Sequence, residues 1–262
     1  MLSSFQSPGE IAFSIFGFPI YYYGVILAFA IFVGVYLADF LYKKFYDKTS
    51  YIIDFMPMII LIGILGARLY YCAENNQYYF NHPMEILYIR QGGLSIHGMI
   101  IFGIIALFVF SKIYKMKFFK LTDVFLCGSA LAQSIGRWGN FFNSEAFGYP
   151  TDLPWKLYIP ISHRPVSLIN YDYFHPTFLY ESIFDFLIFL ILLICFKKLS
   201  KSPGVLACLY LIMYSIVRII VEHFRIDSAL NIDGIPIAQL VSLIIIVVAS
   251  VAIMILTRKK SF

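Results

Sequence analysis

Seven long apolar stretches run through the chain, at roughly 20–42, 52–73, 97–114, 121–142, 176–196, 203–222 and 236–257. Crossing the hydrocarbon core of a bilayer takes about 20 mainly apolar residues, so each stretch predicts a membrane-spanning helix. The runs are continuous and lack period-two alternation, which excludes a β-barrel. A further apolar segment starts at Ile11, but Gly17 and Pro19 interrupt it, and residues 9–18 read as a short interfacial segment ahead of the first span. No basic n-region precedes it, so a cleaved signal peptide is not expected. With no linker, composition break or internal repeat, residues 1–262 read as a single membrane-embedded domain. The expected fold is an all-α polytopic integral membrane protein with seven transmembrane helices and a partly folded loop region at 143–175.

Composition agrees with the pattern. Hydrophobic residues make up 60% of the chain and charged ones 13%, and the mean hydropathy is +0.80, which excludes an ordinary soluble domain. Charge adds an orientation. Lys43, Lys44, Lys48, Lys112, Lys115, Lys117, Lys120, Lys197, Lys198, Lys201, Arg258, Lys259 and Lys260 all fall in alternate loops or the tail, the side expected to be cytoplasmic. The N-terminus is then outside, and 74–96, 143–175 and 223–235 are outer loops. The seven remaining basic residues are Arg68, Arg90, Arg137, Lys156, Arg164, Arg218 and Arg225. Lysine therefore carries the topological signal, while arginine gathers at the outer ends of spans and in outer loops, as a cationic site facing outward would require. The net charge of +5 is mostly the positive-inside signal and gives no support to a nucleic-acid partner. Cys72, Cys127, Cys195 and Cys208 are scattered without metal or redox spacing and read as small core hydrophobes.

Arg137 is the most informative departure from the apolar pattern. An arginine inside a spanning helix costs about 2.5–3.5 kcal/mol on insertion scales and marks a functional site. Gln133, Arg137 and Asn140 share one helix face at i, i+4 and i+7. Gly136 and Gly139 leave backbone uncovered beside that face. A guanidinium fork matches phosphate or carboxylate, so a phospholipid headgroup fits the site. Tyr214, Arg218, Glu222 and Arg225 form a second one-sided stripe in the sixth span. His97 stands at the outer start of the third, His175-Pro176 opens the fifth, where a proline suits the first helical turn, and Asp185 lies deeper in the fifth without an assignable role. Each feature has a plainer reading: an Arg218–Glu222 pair reaching for the interface, an aromatic belt at Tyr21 to Tyr23 and Tyr70-Tyr71, an interfacial histidine at 97, and close helix packing at Gly63 and Ala67. Convergence of two arginine-bearing faces and a histidine at similar depth favours a site. A transporter would place its polar groups at the midplane between repeats, and a lipid-binding scaffold would have no need of His97.

The motifs resemble those of the prolipoprotein diacylglyceryl transferase family. Gly136-Arg137-Trp138-Gly139-Asn140-Phe141-Phe142-Asn143-Ser144-Glu145 is similar to its signature G-R-x-G-N-F-x-N-x-E, followed by Gly148. Gly92 to Gly98 resembles the family's histidine-glycine motif, His175 to Glu181 its H-P-x-x-L-Y-E, and Tyr214 to Arg225 its Y-x-x-x-R-x-x-x-E-x-x-R. Tyr23-Gly24 and Ala238-Gln239 also match in order and spacing. Met99 and Val217 depart from the pattern, beside His97 and Arg218 respectively. The resemblance implies transfer of the diacylglyceryl group of phosphatidylglycerol to the thiol of a lipobox cysteine in a prolipoprotein signal peptide, in the cytoplasmic (inner) membrane of a bacterium. It implies His97 as base, Arg137 and Arg218 as the catalytic cations, and Tyr23, Asn140, Glu145, Gly148, Tyr214 and Glu222 as substrate-side groups. No cofactor or metal is expected; the chain has no H-E-x-x-H and no zinc-ligand spacing of histidines.

Overall fold

The computed structural model describes residues 5–89, 92–226, 231–232 and 235–258. Its frame is seven long helices, α1 (Tyr22–Phe45), α2 (Ile52–Glu74), α4 (Ile96–Ile113), α5 (Phe118–Phe142), α6 (Thr177–Leu199), α7 (Val205–Glu222) and α8 (Ile237–Arg258), with a short α3 (Asn76–Asn81) after α2. Each long helix overlaps one of the seven expected stretches. Six are long and apolar enough to cross a membrane, which makes this a multi-pass membrane protein of all-α class. The exception is α5: it has 25 residues, but Lys120, Asp123, Gln133, Arg137 and Asn140 dilute its apolar character. Helices α1 and α6 run on into Lys43-Lys44 and Lys197-Lys198, because lysines in a last turn favour the negative end of the helix dipole.

The apolar run before the first span is a β-hairpin rather than an undivided interfacial stretch. Strand β2 (Ile11–Ile15) pairs antiparallel with β3 (Phe18–Tyr21), which feeds directly into α1. The turn takes positive φ at Phe16 (49°) and Gly17 (84°), a geometry that a helix could not accommodate. The loop region at 143–175 is partly folded, as expected. Strands β1 (Phe5–Gln6), β4 (Leu157–Tyr158) and β5 (Tyr173–Phe174) form one small sheet, parallel between β1 and β4 and antiparallel between β4 and β5. Phe141, Phe147, Leu157, Ile159, Phe174 and Phe178 pack beneath it as a buried apolar core. That core anchors the end of α5 and the start of α6. Pro176 sits at the helix cap, one residue before the first turn. A two-residue pairing of β6 (Asn231–Ile232) with β7 (Ile235–Pro236) leads into α8.

The chain divides into two compact units, Met1–Ala38 with Asp123–Phe262, and Asp39–Thr122. In the first, α1 and α5 touch through glycines: a Cβ on Gly128 would stand 2.4 Å from the Gly34 carbonyl oxygen. The fully buried Asp123 of α5 accepts from the backbone N–H of Gly204 and of Ala207, both at 2.9 Å. A carboxylate at the positive end of α7 satisfies donors that the helix itself cannot. Ser182 of α6 donates to the Ser134 carbonyl of α5 at 2.7 Å.

In the second unit, α2 and α4 cross closely where Gly66 meets Gly98. Arg68 is only 5% exposed. It donates to the carbonyls of Ile86 (2.9 Å), Gly92 (3.0 Å), Gly93 (3.1 Å) and Glu85. Gly92 and Gly93 take positive φ, 88° and 70°, a backbone turn that favours glycine. Arg68 thus clamps the loop between α3 and α4.

Candidate active site

Three helices of the first unit meet around one carboxylate. Arg137 from α5 reaches Glu181 of α6, Nε to Oε2, at 2.6 Å. Arg218 from α7 donates to Glu181 Oε1 at 3.2 Å, and Arg225, just beyond α7, donates to the same oxygen at 3.2 Å. Arg218 also pairs with Glu222 at 2.7 Å, one turn along its own helix. Glu181 and Glu222 are 4% and 5% exposed, whereas the side chains of Arg137 and Arg218 keep 24% of their surface open. The carboxylates are therefore internal, and the Arg137 and Arg218 side chains are the more accessible partners. Buried charges persist only when paired and hydrogen-bonded, and here one glutamate holds three cations in register.

Each side chain arrives there through its helix period. Gln133 and Arg137, Glu181 and Asp185, and Tyr210, Tyr214 and Arg218 are successive residues four apart on α5, α6 and α7. Tyr210 donates to Gln133 Oε1 at 2.6 Å and stacks on Tyr214 with ring centroids 5.8 Å apart. The polar core consequently has two tiers, with Arg137, Glu181 and Arg218 in one and Gln133, Asp185 and Tyr210 in the other.

The signature loop that follows α5 is held by side-chain hydrogen bonds. Asn140 and Asn143 both donate to Glu145 Oε1, at 2.9 and 3.3 Å, while Ser144 and Ala146 take positive φ. Asn140 and Glu145 are thus partners in a clip. Gly139 is covered rather than open: a Cβ there would sit 2.6 Å from the Tyr23 ring, so Tyr23 packs on it. Gly136 alone of the pair has nothing within 4 Å of the added carbon. Gly148 is buried in a backbone seam, bridged to Arg225, donating to the His175 carbonyl at 2.9 Å, and with no space for a side chain because the Phe224 carbonyl lies 2.3 Å from the Cβ position. It brings the Arg225 segment against the α6 start.

His175 stands at that seam. Its Nδ1 lies 3.1 Å from the Tyr180 hydroxyl, which accepts from Trp155 Nε1 at 2.9 Å. An indole N–H can only donate, so the hydroxyl proton is free to point at His175. Burial pushes the His175 imidazole below its ordinary value. His97 belongs to the second unit. It is the second residue of α4, exposed, with Tyr70 as a ring neighbour at 6.0 Å. Met99 fits against Gly63, whose Cβ position is an ordinary 3.5 Å away. The Val217 departure is accommodated as a buried apolar contact.

Residues 10–255 match the model of the prolipoprotein diacylglyceryl transferase family. This chain belongs to that family. The phosphatidylglycerol--prolipoprotein diacylglyceryl transferase of Synechocystis sp. is 44% identical over 254 residues, covering 95% of this chain and 89% of that protein. The enzymes of the same name from Thermosynechococcus vestitus and Parasynechococcus marenigrum are 44% and 40% identical, over 95% and 98% of this chain and 93% and 96% of theirs. Within this member of the family, the hub of the site is Glu181, which the charge pattern did not single out, and its third cation is Arg225, which stood in the second polar stripe without an assigned role. Both sit in quoted motifs, but only the packing of α6 between the two arginine faces reveals what they do.

Proposed function

We propose that this chain transfers the diacylglyceryl group of phosphatidylglycerol to the lipobox cysteine of a prolipoprotein, the first step of lipoprotein maturation. The observation that carries the reading is the convergence of Arg137, Arg218 and Arg225 on the buried Glu181 within helices of membrane length, in a chain of this family. Arg137 and Arg218 hold the headgroup phosphate. The cysteine sulfur, as thiolate, attacks the glyceryl carbon that carries the phosphate. The C–S bond forms, the C–O bond breaks, and glycerol phosphate leaves with the electron pair. Negative charge grows on the leaving phosphate, and cations already in place stabilise it without reorganising. His97 takes the thiol proton. Glu222 and Glu181 fix the Arg218 fork, the Asn140–Glu145 clip holds the signature loop, and Tyr23 and Tyr214 border the headgroup.

The site faces outward from the bacterial cytoplasmic membrane, with the N-terminus outside and the lysine-rich loops and tail inside. Incubating the purified protein with phosphatidylglycerol and a lipobox peptide should release glycerol phosphate and leave a thioether on the peptide. A protein that binds or moves the lipid without releasing glycerol phosphate would refute the reading.

A further inference from the structure

Asp185 is the one acid of the polar core that the proposed reaction does not use. It is 1% exposed, lies one turn along α6 from Glu181, and its Oδ2 has no hydrogen-bond partner among the described residues. Arg137 from α5, Glu181 on its own helix, and Tyr210 and Tyr214 from α7 are the titratable groups within electrostatic reach. Tyr210 cannot serve Asp185, because its single hydroxyl proton is already directed at Gln133. Only Arg137 offers it a compensating charge.

A charge count gives this placement a meaning. The cluster holds three guanidiniums, Arg137, Arg218 and Arg225, and two carboxylates in direct ion pairs, Glu181 and Glu222. The balance without Asp185 is one positive charge, which matches one phosphodiester. With Asp185 ionised the balance is zero, and a phosphodiester would arrive as an unmatched anion in a low-dielectric core, a costly state. Resting on the phosphate reading above, we infer that Asp185 is the internal counter-ion of the headgroup site. It is ionised in the unliganded enzyme and takes up one proton from the aqueous phase as the phosphodiester docks on Arg137 and Arg218. The lipid is chemically unchanged in this step, and the carboxylate becomes a carboxylic acid. Asp185 acts through Arg137 and is a positioning residue for the reaction.

Calorimetric titration of the detergent-solubilised protein with short-chain phosphatidylglycerol, in two buffers of different ionisation enthalpy, reads proton uptake directly. Above the pH at which Asp185 ionises in the unliganded enzyme, wild type should take up about one proton per lipid, and over that same range its affinity should weaken about tenfold per pH unit, as one-proton linkage requires. Asp185→Asn should take up none and bind with flat pH dependence, and Asp185→Glu should restore the uptake. A structural role alone would not move the proton count. No uptake by wild type at any pH, or equal uptake by Asp185→Asn, overturns the inference. Arg137→Gln should abolish lipid binding; if it binds normally, the phosphate reading falls and this inference falls with it. Arg137-dependent binding without Asp185-dependent uptake removes this inference alone.

Discussion

Replacing Glu181 by glutamine tests the centre of the site. The glutamate contacts three guanidiniums, at 2.6, 3.2 and 3.2 Å, and its side chain is only 5% exposed, so solvent screens these pairs little. Glutamine preserves shape and one acceptor oxygen, but it removes the negative charge and turns N–H donors toward a guanidinium. Breaking a buried pair by removing one partner costs about 3–5 kcal/mol. Arg218 retains Glu222 at 2.7 Å, so the lost compensation falls mainly on Arg137. The folded-to-unfolded ratio should therefore drop by roughly two to four orders of magnitude, since about 1.4 kcal/mol is tenfold. Turnover should drop by about a hundredfold even in the folded fraction, because the Arg137 fork loses its alignment. The deficit has a specific remedy: a phosphodiester can replace the missing charge. Unfolding midpoints measured with and without short-chain phosphatidylglycerol should show a larger stabilisation of Glu181→Gln than of wild type. A variant as stable as wild type, or one that the lipid stabilises no more than wild type, would refute the carboxylate-centred account.

Arg137→Lys keeps the charge but loses the fork, and should slow transfer by about 3–4 kcal/mol, a few hundredfold. Because Arg137 and Arg218 act on one phosphate, the double lysine variant should be little slower than either single variant in a glycerol phosphate release assay, and fully additive losses would exclude the shared role. His97→Gln should lower turnover while leaving phosphatidylglycerol binding intact, and raising the pH should partly restore the rate by ionising the thiol without help. Near-normal turnover at neutral pH would place the base elsewhere. Gly148→Ala would drive a methyl group against the Phe224 carbonyl, 2.3 Å from the Cβ position. It should destabilise the protein by about 1–3 kcal/mol, and a denaturation midpoint like that of wild type would show that the seam can open.

The spans were legible because a long apolar run with few alternatives specifies a membrane helix almost by itself. The hairpin was less so: five residues, Ile-Ala-Phe-Ser-Ile, alternate too briefly to stand out from the apolar run that they open. Sequence placed Arg137 and Arg218 on polar faces of their helices correctly, and the i, i+4 pairing of Arg218 with Glu222 follows from the helix period alone. It could not show that Glu181 lies between those faces, because that depends on how α6 packs and not on any local period. The same limit explains Gly139, where spacing predicts bare backbone and packing brings Tyr23 onto it.

Six arginines suggested an outward cationic site, and the structure separates them by partner. Arg68 is occupied by backbone carbonyls. Arg164 is occupied by the Ile159 and Ile169 carbonyls and by Asp172, and Arg90 lies outside the described residues. Arg137, Arg218 and Arg225 share one carboxylate instead. That difference has a chemical consequence. A guanidinium bound to fixed carbonyls has no lower-energy partner to move to, since each abandoned carbonyl would be left unsatisfied. Arg137, Arg218 and Arg225 carry one positive charge more than Glu181 and Glu222 neutralise, so with Asp185 protonated an incoming anion completes the balance as it binds. The capacity to receive a phosphate therefore follows from the ratio of cations to anions around Glu181, and not from the number of arginines in the chain.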